Sequence, residues 1–288
     1  MSANEESLGR WIGAWDERIA AWVRAMDEGI DPAACDLGLA AVRDPWLAAN
    51  RQIAADEVYR ALPEPYAGDP LAEGLQGVGI YHNPGGALAV QLHPRGPLVQ
   101  SIREGTPFSA LARHWQLAQA TTQWWLRTAE WFARVCGAPL SRRTPAILGL
   151  DLVPWHSTER GPLEPGAALG EHLRRELLLP AREAAARALF RTAAGEPLVL
   201  ASHEWVNGVL RGIGARRLAT VDEASWDESV APWPRSFRGL PTQRTFERLV
   251  IDLPGGDLHL LTTWAPGSNF PPGKNFDPMI RWLCGEAA

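Results

Sequence analysis

The chain has 288 residues, 46% hydrophobic and 21% charged, with a formal net charge of −5. This composition excludes a disordered or fibrous chain, and no apolar run approaches the roughly 20 residues of a membrane span. Three cysteines without short spacing exclude a disulfide scaffold or cysteine-rich zinc site and suit a reducing cytoplasm, while the acidic balance excludes a globally basic nucleic-acid binder but not a local basic face.

The N-terminus, MSANEESLGRW, carries two glutamates and no basic segment, so it does not read as a secretory signal. Leu8, Trp11, Ile12, Trp15, Ile19, Trp22, Val23 and Met26 recur at helical spacing, which predicts an amphipathic helix that packs on the main domain or offers a face to a partner. A second helix is expected over 33–62, interrupted near Pro45. Val78 to Tyr81 reads as a short strand running into His82-Asn83-Pro84-Gly85-Gly86. A long helix over 108–136 stops at Gly137 and Pro139. A strand over 146–153 ends in Pro154-Trp155-His156-Ser157, and a helix over 167–193 is interrupted by Pro180.

A third strand, 197–201, leads into a helix over 203–213, and a strand follows at 217–221. A Pro-, Trp- and Arg-rich loop covers 222–243. The segments 245–252 and 257–263 form a hairpin across Pro254-Gly255-Gly256, and the second arm ends in Trp264-Ala265-Pro266-Gly267-Ser268-Asn269. A last helix begins near Phe276. Alternating strands and helices predict an α/β fold with a mostly parallel central sheet flanked by helices. An N-terminal helical extension, 1–70, precedes the α/β domain, 71–288. Ligands of such sheets bind beyond the carboxyl ends of the strands, where the three loop segments fall.

Several common chemistries have no carrier here. There is no GxSxG, no GxxxxGK[ST], no GxGxxG after a strand and no HExxH, so no metal or cofactor is implied. In HNPGG, Pro84 fixes φ and Gly85 permits close backbone approach, leaving Asn83 at the mouth of the sheet. The segment is either an ordinary turn with an Asn corner or a loop holding water against an electrophilic carbon. His156 is either a loop histidine bonded to backbone or a polariser of a base or phosphate. The scattered arginines, Arg142, Arg143, Arg174, Arg175, Arg216, Arg217, Arg235, Arg238, Arg244 and Arg248, are a solvated surface or a phosphate-tracking face. Lys274 is the only lysine, and the 14 tryptophans outnumber Phe and Tyr together; most of them are expected in the core, with a few available to stack on bases.

Three segments in order, GIYHNPGG (Gly79 to Gly86), ILGLDLVPWHS (Ile147 to Ser157) and TTWAPGSNFP (Thr262 to Pro271), resemble the uracil-DNA glycosylase superfamily in its Asn-Pro-Gly form. LVLASHEWVNGVLRGIGA (Leu198 to Ala215) resembles the strand-helix unit between the second and third motifs. The resemblance covers about Gly77 to Leu283. It implies base flipping and hydrolysis of an N-glycosidic bond in single- or double-stranded DNA, without cofactor. It makes Asn83 catalytic, holding the water; His156 is the candidate catalytic residue for the part of the absent family histidine, the alternatives being a substrate other than uracil or lost catalysis. It places Tyr81, Pro84, Gly85, Asp151 and Trp155 around the base, and Pro266, Gly267, Ser268, Asn269 and Lys274 on the DNA. Two positions depart from the family: Asp151 stands where Asn reads the base, and Ala265 stands where a His stabilises the departing base. Gly85 replaces a bulky ring and gives a roomier pocket. The rival expectation is a catalytically inactive nucleic-acid- or partner-binding protein on the same fold.

Overall fold

The computed structural model describes residues 3–30, 40, 62–81, 95–118, 123–137, 147–154, 167–201, 204–235, 244–264 and 272–285. Short β-branched and apolar runs make seven strands of one sheet: β1 (Tyr66–Ala67), β2 (Gly77–Tyr81), β3 (Ile147–Asp151), β4 (Leu198–Ala201), β5 (Arg216–Val221), β6 (Thr245–Ile251) and β7 (Leu258–Trp264). Their spatial order is β1-β3-β2-β4-β7-β6-β5. The central strands β3, β2, β4 and β7 are parallel. β1 lies antiparallel to β3, and β5, β6 and β7 form an antiparallel meander. The sheet is therefore mixed rather than mostly parallel, and the sequence-based expectation holds only at its centre. The reason is local: the Pro254-Gly255-Gly256 connection is too short for a crossover, and Gly255 and Gly256 take φ of 85° and 128° in that turn.

Helices cover both faces. On one, Val78, Ile80, Leu148, Leu150, Val199, Ala201 and Leu260 share a core with α1 (Ala3–Asp27), α2 (Pro97–Arg103), α3 (Phe108–Ala118) and later helices. These are α5 (Ala167–Leu173), α6 (Leu179–Ala185) and α7 (Glu204–Gly212). On the other, Ile147, Leu198, Leu200 and Leu261 pack against Trp125, Trp131 and Phe132 of α4 (Gln123–Cys136) and Met279 and Ile280 of α8 (Asp277–Leu283), with Trp226 and Trp233. Alternation along β2 puts Gly77 and Gly79 on this second face with Tyr81. The missing side chains admit aromatic rings: a Cβ on Gly149 would lie 2.6 Å from the Tyr81 ring and 2.9 Å from that of Trp125, and one on Gly77 would enter the Phe132 ring.

The N-terminal stripe packs inward: Leu8, Trp15, Ile19 and Trp22 are buried in the core of the first face. β1, within the first 70 residues, already belongs to the sheet. The helix expected over 167–193 runs as α5, a π-turn at Arg174–Leu178 and α6, and it ends at Ala185. Pro180 brings no N–H to the Glu176 carbonyl one turn earlier, and the Trp11 indole donates to that carbonyl at 3.1 Å. Arg18 pairs with the Glu176 carboxylate at 2.8 Å, and Arg187 with Glu5 at 2.6 Å. The proline defect thereby becomes the seat of α1.

Neither β1 nor α2 was expected from the sequence. The helix expected over 108–136 is present as α3 and α4, with 119–122 outside the described residues. The helix expected over 33–62 also lies outside them, apart from Ala40 and Leu62. No described helix is long and apolar enough to cross a membrane.

Candidate functional site at the carboxyl edge of the sheet

The parallel strands come in chain order β2, β3, β4, β7 but lie in spatial order β3-β2-β4-β7. The chain thus leaves β2 in one direction for β3 and in the other for β4 and β7. Crevices form at such a reversal of strand order, beyond the carboxyl ends. Here Tyr81 ends β2, Asp151 ends β3 directly beside it, and Ala201 ends β4.

Asp151 is 5% exposed. Its Oδ1 accepts the Val153 N–H at 3.1 Å, so the carboxylate closes the first turn of its own loop. Its backbone N–H donates to Pro65 at 3.0 Å, and Leu152 N–H donates to the Tyr81 carbonyl at 2.8 Å. Tyr81 lies edge-on to Trp125, centroids 6.4 Å apart, over the space Gly149 leaves open. Burial, aided by the carboxyls of Glu64 and Asp151, pushes the Tyr81 phenol well above its usual value. It is therefore a neutral hydroxyl at physiological pH and not a base.

Glu64 is a member of this site that sequence reasoning missed. It is 1% exposed, and its N–H donates to Pro154 at 2.7 Å, tying the Leu62–Tyr66 segment to the loop after β3. No periodicity marks it in the sequence, because residues 62–68 are all buried, the prolines on either side of Glu64 included. Two buried carboxyl groups thus stand near one phenol.

The far side of the same edge carries Arg244 and Lys274. Arg244 precedes β6, and its neighbour Thr245 pairs with Trp264, the last residue of β7. It is 8% exposed, donates to Thr263 Oγ1 at 3.0 Å and lies 5.5 Å over the Phe276 ring. Burial pulls its pKa below the ordinary arginine value. Lys274 opens the 3-10 turn, Lys274–Phe276, that presents this ring, and is itself exposed.

Other arginines in the group flagged by sequence serve the fold. Arg217 binds Glu247 at 2.7 Å, and so do Arg211 and, at 3.1 Å, Asn207. Arg174 donates to the carbonyls of Asp252 and Ile213, Arg175 pairs with Glu176, Arg216 with Asp252 and Arg248 with Glu196. Of the expected site residues, the structure places Tyr81 and Asp151 together and Lys274 on the β7 side. Asn83, Pro84, Gly85, Trp155, His156, Ala265, Pro266, Gly267, Ser268 and Asn269 lie outside the described residues. Among the described residues no group of three or more His, Cys, Asp or Glu is placed to hold a metal ion. No family model, curated protein or solved structure matches the chain.

Proposed function

We propose that the chain is a divergent hydrolase of the uracil-DNA glycosylase type, which takes a nucleobase out of the DNA stack and cleaves its N-glycosidic bond. The observation that carries this reading is the common edge. β2, β3 and β7 run parallel and end in Tyr81, Asp151 and Trp264, and each is followed in sequence by one of the three motif segments. Extruding a base costs a few kcal/mol, which a fitted pocket offsets. Asn83 orients the water but, as an amide, takes no proton: the water oxygen bonds to the sugar carbon as the glycosidic C–N bond breaks, the bond's electron pair leaves with the base, and the proton released by the water goes to the departing base or to solvent. The developing positive charge on the sugar is stabilised by the potential of Glu64 and Asp151, a preorganised field in a water-poor site. Tyr81, packed on Trp125, supports the floor. The reaction so written needs neither metal nor organic cofactor.

A panel of oligonucleotides, each with one modified base, tests this by the appearance of alkali-labile abasic sites. At least one lesion is expected to react, and Asn83→Ala is expected to slow it roughly a hundredfold, the scale of a lost positioning group. No abasic product from any lesion would sink the hydrolase.

A second reading, a nucleic-acid- or partner-binding protein without cleavage, has its own observation. Asp151 gives one oxygen to Val153 and Tyr81 is sealed against Trp125, so both already have structural work. Ala265 also lacks the imidazole that would stabilise a departing base. Binding of the panel without cleavage would select this reading.

A further inference from the structure

We propose that the groove between α1 and α6 binds a small zwitterion with an apolar side chain, a ligand of the α-amino-acid class. Arg18 of α1 meets Glu176 just before α6, and Glu5 meets Arg187 just after it. The two helices therefore run antiparallel and are pinned by ion pairs at both ends. Between the pins lies a groove of about 430 Å³, within the range of small-molecule sites. It opens beside the π-turn at Arg174–Leu178, and such turns inside α-helices are frequent at functional sites.

Two kinds of surface line it. Trp11, Ala14, Leu179 and Pro180 supply apolar area, and Arg10 of α1 and Glu183 of α6 supply one charge of each sign. Arg18 and Arg175, which also line it, are both engaged by Glu176. Among the described residues, by contrast, neither Arg10 nor Glu183 makes a hydrogen bond or an ion pair, with the other or with anything else. The two walls thus offer one open cation and one open anion beside apolar surface.

The guanidinium of Arg10 is complementary to a carboxylate, whose two oxygens match its fork. The carboxylate of Glu183 only accepts and is complementary to an ammonium group. The ligand's side chain displaces water from the apolar lining. A ligand of one sign alone would meet a like charge in the same groove, so the two open charges together select a zwitterion. The walls are pinned helices, and little ordering is left for the ligand to impose. This site depends neither on the carboxyl edge of the sheet nor on the proposed function.

The test titrates L-phenylalanine and L-leucine into the full chain by calorimetry, each beside its N-acetyl form, which lacks the ammonium group, and its amide, which lacks the carboxylate. Wild type is expected to bind at least one of the two amino acids, and its capped forms about tenfold more weakly, the scale of one charge-assisted bond. The capped forms probe both charges without any change to the protein. Arg10→Gln is expected to remove the preference over the amide, and Glu183→Gln the preference over the N-acetyl form. Ala14→Phe, which fills the groove, is expected to abolish binding of all forms. Wild type that binds neither amino acid, or that binds the capped forms as tightly as the free ones, overturns the site. So does binding that survives Ala14→Phe, or a pair of preferences that persists in Arg10→Gln and Glu183→Gln.

Discussion

Gly149 shows how much one missing side chain decides. Its Cβ would meet the Tyr81 ring at 2.6 Å and the Trp125 ring at 2.9 Å, whereas a Cβ on Gly79, on the same face, meets only a carbonyl oxygen at 3.9 Å. Both rings are buried among close-packed neighbours and have little room to move. Gly149→Ala is therefore expected to cost about 1–3 kcal/mol by overpacking, and Gly79→Ala much less; denaturant midpoints of the two variants test this, and equal midpoints would refute it. The same ring pair bears on Asp151. Asp151→Asn keeps an oxygen to accept the Val153 N–H, so the fold is expected to hold, while the new amide N–H adds a donor. An ionised carboxylate only accepts and suits a base edge rich in donors. The variant is expected to gain activity or affinity toward uracil, on which wild type is expected to be poor, by roughly tenfold per group newly paired. The reverse outcome, wild type active on uracil and Asp151→Asn dead, would reduce Asp151 to orienting a neighbour.

The clearest case of one element specifying another is α1 on the interrupted helix. Trp11→Phe keeps the ring against Tyr66, at 4.9 Å between centroids, and deletes only the donor to the Glu176 carbonyl. A loss of about 1 kcal/mol is expected, measured by urea denaturation; no loss would mean that solvent satisfies that carbonyl. This seat also responds to pH. Burial holds His172 below the ordinary histidine value of 6.5, against the pull of Glu176. Burial opposes ionisation of Glu176, but the Arg18 bond and charge outweigh it and hold the carboxyl below its ordinary 4.5. For both groups the unfolded chain binds the extra proton first, so stability is full above the ordinary value and falls as pH drops through the folded value. The loss attributable to His172 starts below 6.5 and that of Glu176 only below 4.5. His172→Gln is expected to flatten the first phase and leave the second, in urea midpoints followed across both windows; an unaltered first phase would show that His172 is not its source. The strands were legible because each is an apolar run with Pro or Gly within a few residues of one end, and β2, β3, β4, β6 and β7 fall within a residue or two of expectation. β1 was not legible: two residues have no periodicity, and its partner lies about 80 positions away in sequence, as its register with Leu150 shows. The π-turn was visible only as Pro180, since a proline marks a defect and does not say how tertiary contacts absorb it.

At the scale of the whole molecule, topology made the candidate site partly readable. Loops at the ends of parallel strands converge whatever their sequence separation, so Tyr81 and Asp151 could be placed together from pattern alone. Glu64 and Arg244 could not, because burial of a charge depends on neighbours that periodicity does not name. The antiparallel meander of β5, β6 and β7 brings Arg244 to the same edge and also sets the balance of charge. In a chain of net charge −5, Arg174, Arg175, Arg211, Arg216, Arg217 and Arg248 are engaged by carboxylates or carbonyls of the protein. Counterion release gives log K a slope of about −0.7 per phosphate neutralised on a single strand. On the proposed function the strand is held through its phosphates, so affinity for oligothymidylate is expected to fall as salt rises, by about 0.7 in the slope for each phosphate held. Lys274→Gln, which removes an exposed cation of the β7 side, should lower its magnitude by roughly 0.7. Fluorescence titrations at several salt concentrations measure both quantities. A slope of about −5 or steeper would reveal a broad basic face and place the strand elsewhere. A slope unchanged in Lys274→Gln would show that the strand bypasses the β7 end of the sheet.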